Sequence, residues 1–293
     1  MEVLLPRTLD EALEMKGQHP EALPIAGGTD LMVELNFDRR RPDTIVDVSR
    51  LEELNRWRRE DGVFFLGAGV TYARIMRQLS QFVPLAQASR TVGSPQIRNR
   101  ATVGGNLGTA SPAGDALPVL AAYDAEIVLV KAGRQSRAVP WNEFLLGVKK
   151  TALAPGELIL GARWKAIRGP GSFSKIGTRN AMVISVAGLC LAVDEAGRSL
   201  RVALGSVAPT VVRAPSAEAF AARAMLEAGT WDEPGAPLSA GAMDTFGRLV
   251  AEAARPIDDV RGSAAYRRHA CAVLARRALA WALDDRGAAR GAP

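Results

Sequence analysis

Two short stretches, each with a pair of glycines after an apolar or β-branched run, most constrain the fold of this chain. Residues 26–31 read Ala-Gly-Gly-Thr-Asp-Leu, and residues 102–106 read Thr-Val-Gly-Gly-Asn, with Asp115 nine residues after the asparagine. Because glycine has no Cβ, backbone N–H groups in such turns can approach a bound anion closely. The pattern predicts two ligand-holding turns.

The first stretch has the sequence context of a phosphate-binding turn. Residues 23–26 read Leu-Pro-Ile-Ala and predict a short buried strand that leads directly into the two glycines. Residues 31–35 predict a helix, which Thr29 or Asp30 can cap. A strand, a glycine turn and a helix start bring N–H groups and the positive end of the helix dipole to one place. We therefore expect an anion to bind there.

A third glycine pair, Gly67 and Gly69, has the first part of a dinucleotide-binding fingerprint. The sixth position of that fingerprint is Tyr72 instead of glycine or alanine, and no acidic residue follows about 20 residues later. We interpret this turn as structural, with Thr71 as the cap of a helix that begins at Tyr72.

Residues 92–115 are rich in glycine, proline and asparagine and show no clear periodicity. A stretch of this length without secondary structure inside a globular chain is usually functional or disordered. Its apolar residues Ile97, Val103 and Leu107 favour order. We expect an ordered loop that wraps around a ligand.

The length and composition narrow the class of protein. A chain of 293 residues can form two or three domains, and no apolar run reaches the ~18 residues of a membrane span. The N-terminus lacks a signal-peptide pattern. The two cysteines, Cys190 and Cys271, are too far apart in sequence for a zinc motif and too few for an iron–sulfur cluster. We expect a cytoplasmic protein without a metal of its own.

The net charge of +6 does not by itself indicate nucleic acid binding. Basic residues alternate with acidic ones, as where Arg39, Arg40 and Arg41 lie between Asp38 and Asp43. Aromatic residues make up only 5% of the chain, so platforms for base stacking are not evident. We interpret most of the charge as solvated surface; the alternative is a docking face for an acidic subunit or a phosphate-bearing ligand.

The sequence contains no recognisable catalytic constellation. It has only two histidines, His19 and His269, and lacks the G-x-S-x-G, H-E-x-x-H and Walker A patterns. Phosphate-binding turns without hydrolytic chemistry favour a protein that binds a cofactor which carries the reaction. We therefore assign no catalytic residue.

Five motifs taken together resemble one known family. They are residues 26–31, residues 96–106 (Gln-Ile-Arg-Asn-Arg-Ala-Thr-Val-Gly-Gly-Asn), residues 110–115 (Ala-Ser-Pro-Ala-Gly-Asp), residues 205–210 (Gly-Ser-Val-Ala-Pro-Thr) and residues 258–263 (Asp-Asp-Val-Arg-Gly-Ser). In this order they resemble the FAD-binding medium subunit of the molybdenum hydroxylases, a family that includes carbon monoxide dehydrogenase and bacterial xanthine dehydrogenase. The resemblance extends over nearly the whole chain.

The resemblance implies an α+β fold. Residues 1–55 and 56–168 are expected to form two α/β subdomains of the vanillyl-alcohol-oxidase-like (PCMH-type) FAD-binding fold. Residues 171–287 are expected to form a C-terminal α+β domain of the carbon monoxide dehydrogenase flavoprotein type, with an antiparallel sheet and a helical bundle. A change in composition at residues 168–171 (Arg-Gly-Pro-Gly) agrees with a boundary there.

The resemblance also implies which residues contact FAD. The first stretch holds the diphosphate, the second forms a wall around the diphosphate and ribityl chain, and Asp115 accepts hydrogen bonds from cofactor hydroxyls. Val92 and Ile159 lie beside the cofactor, and Lys175 places a positive charge near the pyrimidine end of the flavin. The implied cofactor-binding residues are Pro24, Ile25, Ala26, Gly27, Gly28, Thr29, Asp30, Leu31, Val92, Thr102, Val103, Gly104, Gly105, Asn106, Asp115, Ile159 and Lys175.

Simpler alternatives exist for three of these residues. Taken alone, Lys175 is a surface lysine, Ile159 is a core residue and Asp115 is a helix N-cap. Residues 180–184 (Asn-Ala-Met-Val-Ile) lack the acidic or aromatic residue that relatives often carry near the flavin, so the electron acceptor stays open. The cysteine cluster of benzoyl-CoA-reducing relatives is also absent.

The function that the resemblance implies is electron transfer. The chain is expected to bind FAD and to receive electrons from an iron–sulfur small subunit that accompanies a molybdopterin large subunit. The external acceptor is NAD, quinone or oxygen, and neither nucleic acid nor a membrane span is expected. The alternatives are a stand-alone FAD-dependent oxidase or dehydrogenase of the same cofactor fold and a non-enzymatic nucleotide-binding module.

Overall fold

The computed structural model of the chain describes residues 1–234 and 236–291, which form fourteen strands and eleven α-helices. The strands are β1 (Glu2–Leu4), β2 (Leu23–Ile25), β3 (Thr44–Asp47), β4 (Trp57–Glu60), β5 (Val63–Gly67), β6 (Glu126–Lys131), β7 (Gln135–Pro140), β8 (Leu145–Gly147), β9 (Lys150–Thr151), β10 (Leu158–Lys165), β11 (Gly171–Ile176), β12 (Ala187–Asp194), β13 (Ser199–Gly205) and β14 (Val212–Arg213). The helices are α1 (Leu9–Gln18), α2 (Leu31–Asn36), α3 (Tyr72–Gln78), α4 (Val83–Thr91), α5 (Pro95–Arg100), α6 (Val103–Thr109), α7 (Ala116–Ala122), α8 (Trp141–Phe144), α9 (Pro215–Glu227), α10 (Ala240–Ala253) and α11 (Ala264–Gly291).

The described chain divides into two compact units. The first contains Met1–Leu79, Val92–Ser111 and Asp124–Lys165, and the second contains Ser80–Thr91, Pro112–Tyr123 and the chain from Ala166 onward. Two short segments from the N-terminal half therefore belong to the C-terminal unit. The division into segments 1–55, 56–168 and 171–287 stays a prediction.

The first unit contains a parallel and an antiparallel sheet. The parallel sheet has the order β1-β3-β2, and the five-stranded antiparallel sheet has the order β4-β5-β10-β6-β7. Helix α1 begins after Thr8, whose side chain accepts a hydrogen bond from the N–H of Glu11 at 3.2 Å. Its Leu9 and Leu13 are buried with Val46 of β3 and Leu158 of β10 in one apolar cluster. That shared cluster stabilises both sheets through burial of apolar surface.

The second unit is an antiparallel sheet covered by helices. Its strand order is β11-β12-β13-β14, and the central strand β12 is buried at every residue except the last. Leu189 and Leu191 of that strand form one apolar cluster with Phe246 of α10 and Leu279 of α11. A strand buried on both faces needs a continuous apolar run, which the residues of β12 provide. The predicted antiparallel sheet with a helical bundle is present.

Residues 92–115 are helical over most of their length, so the prediction of one long irregular loop is wrong. Helix α5 begins after Ser94, whose side chain accepts a hydrogen bond from the N–H of Ile97 at 3.3 Å, and Pro95 occupies its first turn. Helix α6 begins after Thr102, whose side chain accepts from the N–H of Gly105 at 3.0 Å. The Ser94 cap and Pro95 thus favour α5, and the Thr102 cap offsets the low helix propensity of the glycines in α6.

Among the described helices, none combines the length and the apolar character that crossing a membrane requires. Within residues 1–234 and 236–291, no group of three His, Cys, Asp or Glu side chains is placed to hold a metal ion.

Candidate functional site

The two glycine stretches lie side by side in the first unit. A Cβ at Gly27 would lie 2.0 Å from the carbonyl oxygen of Arg100, two residues before Thr102, so only glycine fits this approach. At the other end of α6, the hydroxyl of Thr109 donates a hydrogen bond of 2.9 Å to the Asp30 carboxylate. The first stretch therefore contacts the chain on both sides of the second stretch, at Arg100 before it and at Thr109 after it.

The backbone N–H groups of the first stretch are available to a ligand. Gly28 has a left-handed φ of 74°, and the N–H groups of residues 27–31 make no hydrogen bond to any other residue that the structure describes. The prediction that Thr29 or Asp30 caps α2 is wrong, because Asp30 precedes the helix without a capping bond and its carboxylate binds Thr109. A turn of unpaired N–H groups around a left-handed residue forms an anion-binding concavity.

The second stretch uses its N–H groups differently. The N–H of Val103 donates to the carbonyl of Val70 at 3.1 Å, and that of Gly104 donates to the carbonyl of Ala68 at 2.7 Å. The N–H of Gly105 is taken by the Thr102 hydroxyl. These three donors are used within the chain, so this stretch offers a glycine surface and not a set of free donors.

The two stretches line one pocket with a volume of about 310 Å³, which lies wholly within the first unit. Seven of the predicted cofactor residues line it: Pro24, Ala26, Leu31, Thr102, Gly104, Gly105 and Ile159. The lining residues without a sequence prediction as ligand contacts are Leu23, Arg40, Val48, Leu54, Ala68, Gly69, Gly108, Lys149, Thr151, Leu153 and Leu158. The structure thus brings the two predicted stretches together at one pocket, whose lining also includes two cationic residues, Arg40 and Lys149.

Some of the missed residues had a sequence signal and others had none. Ala68 and Gly69 belong to the turn that the sequence indicated as structural. That role is present, since a Cβ at Gly67 would lie 2.3 Å from the Leu54 carbonyl oxygen, yet the same turn also lines the pocket. Arg40 and Lys149 stand next to no motif, and only the tertiary structure brings them to the pocket.

The other predicted residues are not part of the pocket lining. Five of them adjoin lining residues in sequence: Ile25, Gly27, Asp30, Val103 and Asn106. Gly28 and Thr29 lie between Gly27 and Asp30. Val103 is only 1% exposed, so it is a core residue. Val92 lies before α5 in the first unit, where its carbonyl accepts a hydrogen bond of 3.0 Å from Arg98.

The amide oxygen of Asn106 is buried without a hydrogen-bond partner among the described residues. A buried acceptor of this kind costs roughly 1–3 kcal/mol when it is left unpaired. Such a cost is expected where a ligand or water completes the bonding. Asn106 is therefore the member of the second stretch with an acceptor left for a ligand or a water molecule.

Asp115 and Lys175 form a buried ion pair within the second unit. Lys175 Nζ lies 2.6 Å from Asp115 Oδ2, and the two side chains are 9% and 6% exposed. Nζ also donates to the carbonyls of Thr91 at 2.9 Å and Val183 at 3.1 Å. The surface interpretation of Lys175 is wrong, because all three of its ammonium donors are used inside the protein.

The Asp115 carboxylate keeps one oxygen available. Its Oδ2 accepts hydrogen bonds from Lys175 and from the Thr91 hydroxyl at 2.9 Å, whereas no described residue donates to Oδ1. Asp115 precedes α7 but makes no capping bond, so the N-cap alternative is wrong. Burial raises the pKa of the Asp115 carboxyl, and the attraction and hydrogen bond of Lys175, with the bond from Thr91, oppose that rise. The pair can present a fixed charge and one free acceptor.

Comparison with known proteins identifies the family. The model of the FAD binding domain in molybdopterin dehydrogenase matches residues 1–163, and the model of the CO dehydrogenase flavoprotein C-terminal domain matches residues 172–282. The chain belongs to the molybdopterin dehydrogenase FAD-binding family. The resemblance that the sequence motifs indicated and the prediction of FAD as the cofactor are thereby confirmed.

Individual relatives agree with this assignment. The chain is 35% identical to the nicotinate dehydrogenase FAD-subunit of Eubacterium barkeri over 209 residues, which cover 67% of this chain and 70% of that one. It is 30% identical to the xanthine dehydrogenase FAD-binding subunit of Escherichia coli O157:H7 over 292 residues, 96% and 95% of the two chains. A solved structure of carbon monoxide dehydrogenase from Hydrogenophaga pseudoflava superposes with a TM-score of 0.84 at 27% identity, covering 98% of each chain. The predicted α+β fold with an FAD-binding part and a C-terminal domain is confirmed.

The residues of the first unit fit an FAD-type ligand. The free N–H groups of residues 27–31 suit its diphosphate, and the unpaired Asn106 oxygen suits one of its hydroxyl or amino donors. A Cβ at Gly105 or Gly108 would meet no protein atom closer than 3.2 Å, so both positions present bare backbone where they line the pocket. Bare backbone is what a close ligand contact requires.

Proposed function

We propose that this chain is the FAD-binding electron-transfer subunit of a heteromeric molybdenum hydroxylase. The observation that carries the proposal is the pocket of the first unit, in which both glycine stretches meet and unpaired N–H groups accompany them. FAD, when bound, supplies the chemistry of accepting electrons singly and releasing them in pairs. The chain supplies binding, orientation and charge.

The proposed roles of the residues follow their positions. Residues 27–31 hold the diphosphate, because their N–H groups make no hydrogen bond to another described residue, and residues 24–26 lead into this turn. Residues 102–106 and Ile159 form a wall beside it, with the Asn106 amide oxygen as an acceptor. We propose that residues 1–55 and 56–168 are the two FAD-binding subdomains and that residues 171–287 are the C-terminal domain.

Asp115 and Lys175 are proposed to act on the flavin without exchanging protons with it. Asp115 Oδ1 accepts a hydrogen bond from a cofactor hydroxyl, while Oδ2 stays on Lys175. Lys175 has no spare donor, so its contribution is a fixed positive charge that favours the negative charge developing when flavin is reduced. Val92 is proposed to contact the flavin by packing.

The proposed partners are an iron–sulfur small subunit and a molybdopterin large subunit. This chain's own thiols do not offer cluster ligands, because Cys190 and Cys271 are both buried. Burial raises the pKa of the Cys190 thiol well above its usual range and that of Cys271 to about 12, so both stay protonated. The external acceptor is proposed to be NAD, quinone or oxygen, and the compartment the cytoplasm.

The test begins with the purified chain. Its visible absorption spectrum is recorded as isolated and after incubation with FAD and removal of the excess. Flavin bands that stay with the protein support the proposal, and their absence under both conditions overturns it. Affinity purification of the chain from its own cells tests the partners, with iron and molybdenum expected in the complex. Reduction of the isolated flavoprotein by an organic substrate would instead favour a stand-alone oxidase.

A further inference from the structure

Two cations line the pocket, and one carboxylate binds both of them. Lys149 Nζ lies 2.6 Å from Glu34 Oε1, and Arg40 Nη1 lies 3.7 Å from Glu34 Oε2. Arg40 and Lys149 both line the pocket, whereas Glu34 on α2 is not part of its lining. Glu34 therefore lies outside the pocket lining and holds the side chains of Arg40 and Lys149, which do line the pocket.

The backbone around Lys149 is fixed. Lys149 lies in the turn between β8 and β9 with a left-handed φ of 55°, and its N–H donates to the carbonyl of Ala110 at 3.1 Å. Ala110 directly follows α6, the helix whose glycines line the pocket. The turn thus places the lysine at the edge of the glycine surface.

Arg40 reaches the same carboxylate from a different segment. It follows α2, where the N–H of Arg39 donates to the carbonyl of Glu34 at 2.8 Å. This bond keeps the segment beside the helix that carries Glu34. Two parts of the chain more than 100 residues apart therefore converge on one carboxylate at the pocket.

The charges of this cluster do not balance. Two cations share one carboxylate, and the hydrogen bond from Lys149 lowers the pKa of Glu34, so the carboxylate stays ionised at neutral pH. One positive charge is left over beside a pocket whose first stretch already offers unpaired N–H donors. The Arg40 and Lys149 side chains are 54% and 56% exposed, which leaves both able to turn from Glu34 to a ligand. An anionic ligand supplies the missing negative charge.

We propose that Arg40 and Lys149 bind the phosphate groups of the adenosine diphosphate half of FAD and that Glu34 holds both cations at the pocket until the ligand binds. The proposal rests on the proposed function in that FAD is the ligand. In this arrangement Glu34 competes with the ligand for the two cations. Replacing Glu34 by glutamine therefore strengthens phosphate binding, whereas replacing either cation weakens it.

The experiment measures the affinity of the full-length chain for FAD and for ADP by calorimetry. Lys149→Ala and Arg40→Ala each lower both affinities about tenfold, a loss typical of one charge-assisted hydrogen bond. Glu34→Gln raises the affinity for ADP. Lys150→Ala is the matched control, because it removes an exposed lysine one residue away that does not line the pocket, and it leaves both affinities unchanged.

The dependence of ADP affinity on ionic strength distinguishes direct charge contacts from a purely structural role of the two cations. ADP affinity falls with added salt in the wild type, and the fall is shallower in the Arg40→Ala/Lys149→Ala double variant because two charged contacts are gone. Thermal unfolding of each variant checks that the fold is intact. The inference is overturned if folded cation variants bind ADP as the wild type does, or if Glu34→Gln weakens ADP binding. Failure of the wild type to bind FAD at all overturns the proposed function instead.

Discussion

Gly27 packs against the carbonyl group of Arg100 so closely that a Cβ at position 27 would lie 2.0 Å from the carbonyl oxygen and 2.5 Å from its carbon. Both partners at this contact are backbone, so neither can rotate away. The glycine therefore serves the joining of two chain segments, in addition to any contact with a ligand. One residue thus determines how the first stretch lies relative to the second.

Replacing Gly27 by alanine is expected to separate the two stretches. Overpacking against fixed backbone costs typically 1–3 kcal/mol, and the displaced turn loses its N–H geometry. We expect a lower midpoint of thermal unfolding and a loss of FAD affinity, measured by calorimetry. Gly17→Ala is the control, because its Cβ would meet only the Ala132 side chain at 3.4 Å, and it should unfold no earlier than the wild type. Wild-type FAD affinity in Gly27→Ala would contradict this account.

The buried pair of Asp115 and Lys175 should respond to mutation as a coupled unit. Lys175→Met leaves a carboxylate that is 6% exposed without its cation, and breaking such a pair costs about 3–5 kcal/mol. Asp115→Asn combined with Lys175→Met removes both charges and should restore part of that loss. Urea unfolding of the two single variants and the double variant measures the coupling. Additive losses of stability would show that the pair is not coupled.

Short-range patterns explain which parts of the fold were predictable. Thr71 caps a helix as the sequence indicated, because a cap involves residues only three positions apart. The same signal was present at Ser94 and Thr102, yet the many glycines around them favoured a loop interpretation. Local hydrogen bonds outweighed composition there.

The candidate site was predictable only in part, for a related reason. The glycine stretches carry their own signal, whereas the burial of Lys175 depends on Asp115, which is 60 residues away. Arg40 and Lys149 look like ordinary surface cations in the sequence, and only the fold brings them to one pocket. Contacts between distant segments leave no local pattern that a single sequence reveals.

Glu157 should give the protein a measurable acid sensitivity. Its carboxylate accepts hydrogen bonds of 2.7 and 2.8 Å from Arg137 and of 2.8 Å from the N–H of Ala154, and it is 8% exposed. The bond from Arg137 is the main cause that lowers the pKa of Glu157, with burial opposing it. Because its folded-state pKa is lowered, Glu157 stabilises the protein at pH values above the unfolded-state pKa of about 4.3. This stabilisation is lost as the pH falls from that value through the folded-state pKa.

The pH dependence of urea unfolding tests this sign. Between about pH 6 and pH 3, the wild type should lose more stability than Glu157→Gln, which has no proton to gain at this position. Asp259, whose pKa is also lowered by hydrogen bonds from Arg261, keeps a part of the acid sensitivity in both proteins. Parallel curves for the wild type and the variant would show that Glu157 does not contribute.

The unpaired amide oxygen of Asn106 predicts a conflict between stability and ligand binding. Asn106→Leu keeps a similar size but removes the buried acceptor without a partner, so the ligand-free chain should be unchanged or more stable, by up to about 1 kcal/mol. The same change deletes a group available to the ligand, so the rise in unfolding temperature on adding FAD should be smaller than in the wild type. Differential scanning calorimetry with and without FAD measures both quantities. Asn106→Asp is the matched variant that keeps an acceptor, and it should retain more of the FAD-dependent rise than leucine does. An FAD-dependent rise as large in Asn106→Leu as in the wild type would exclude Asn106 as a ligand contact.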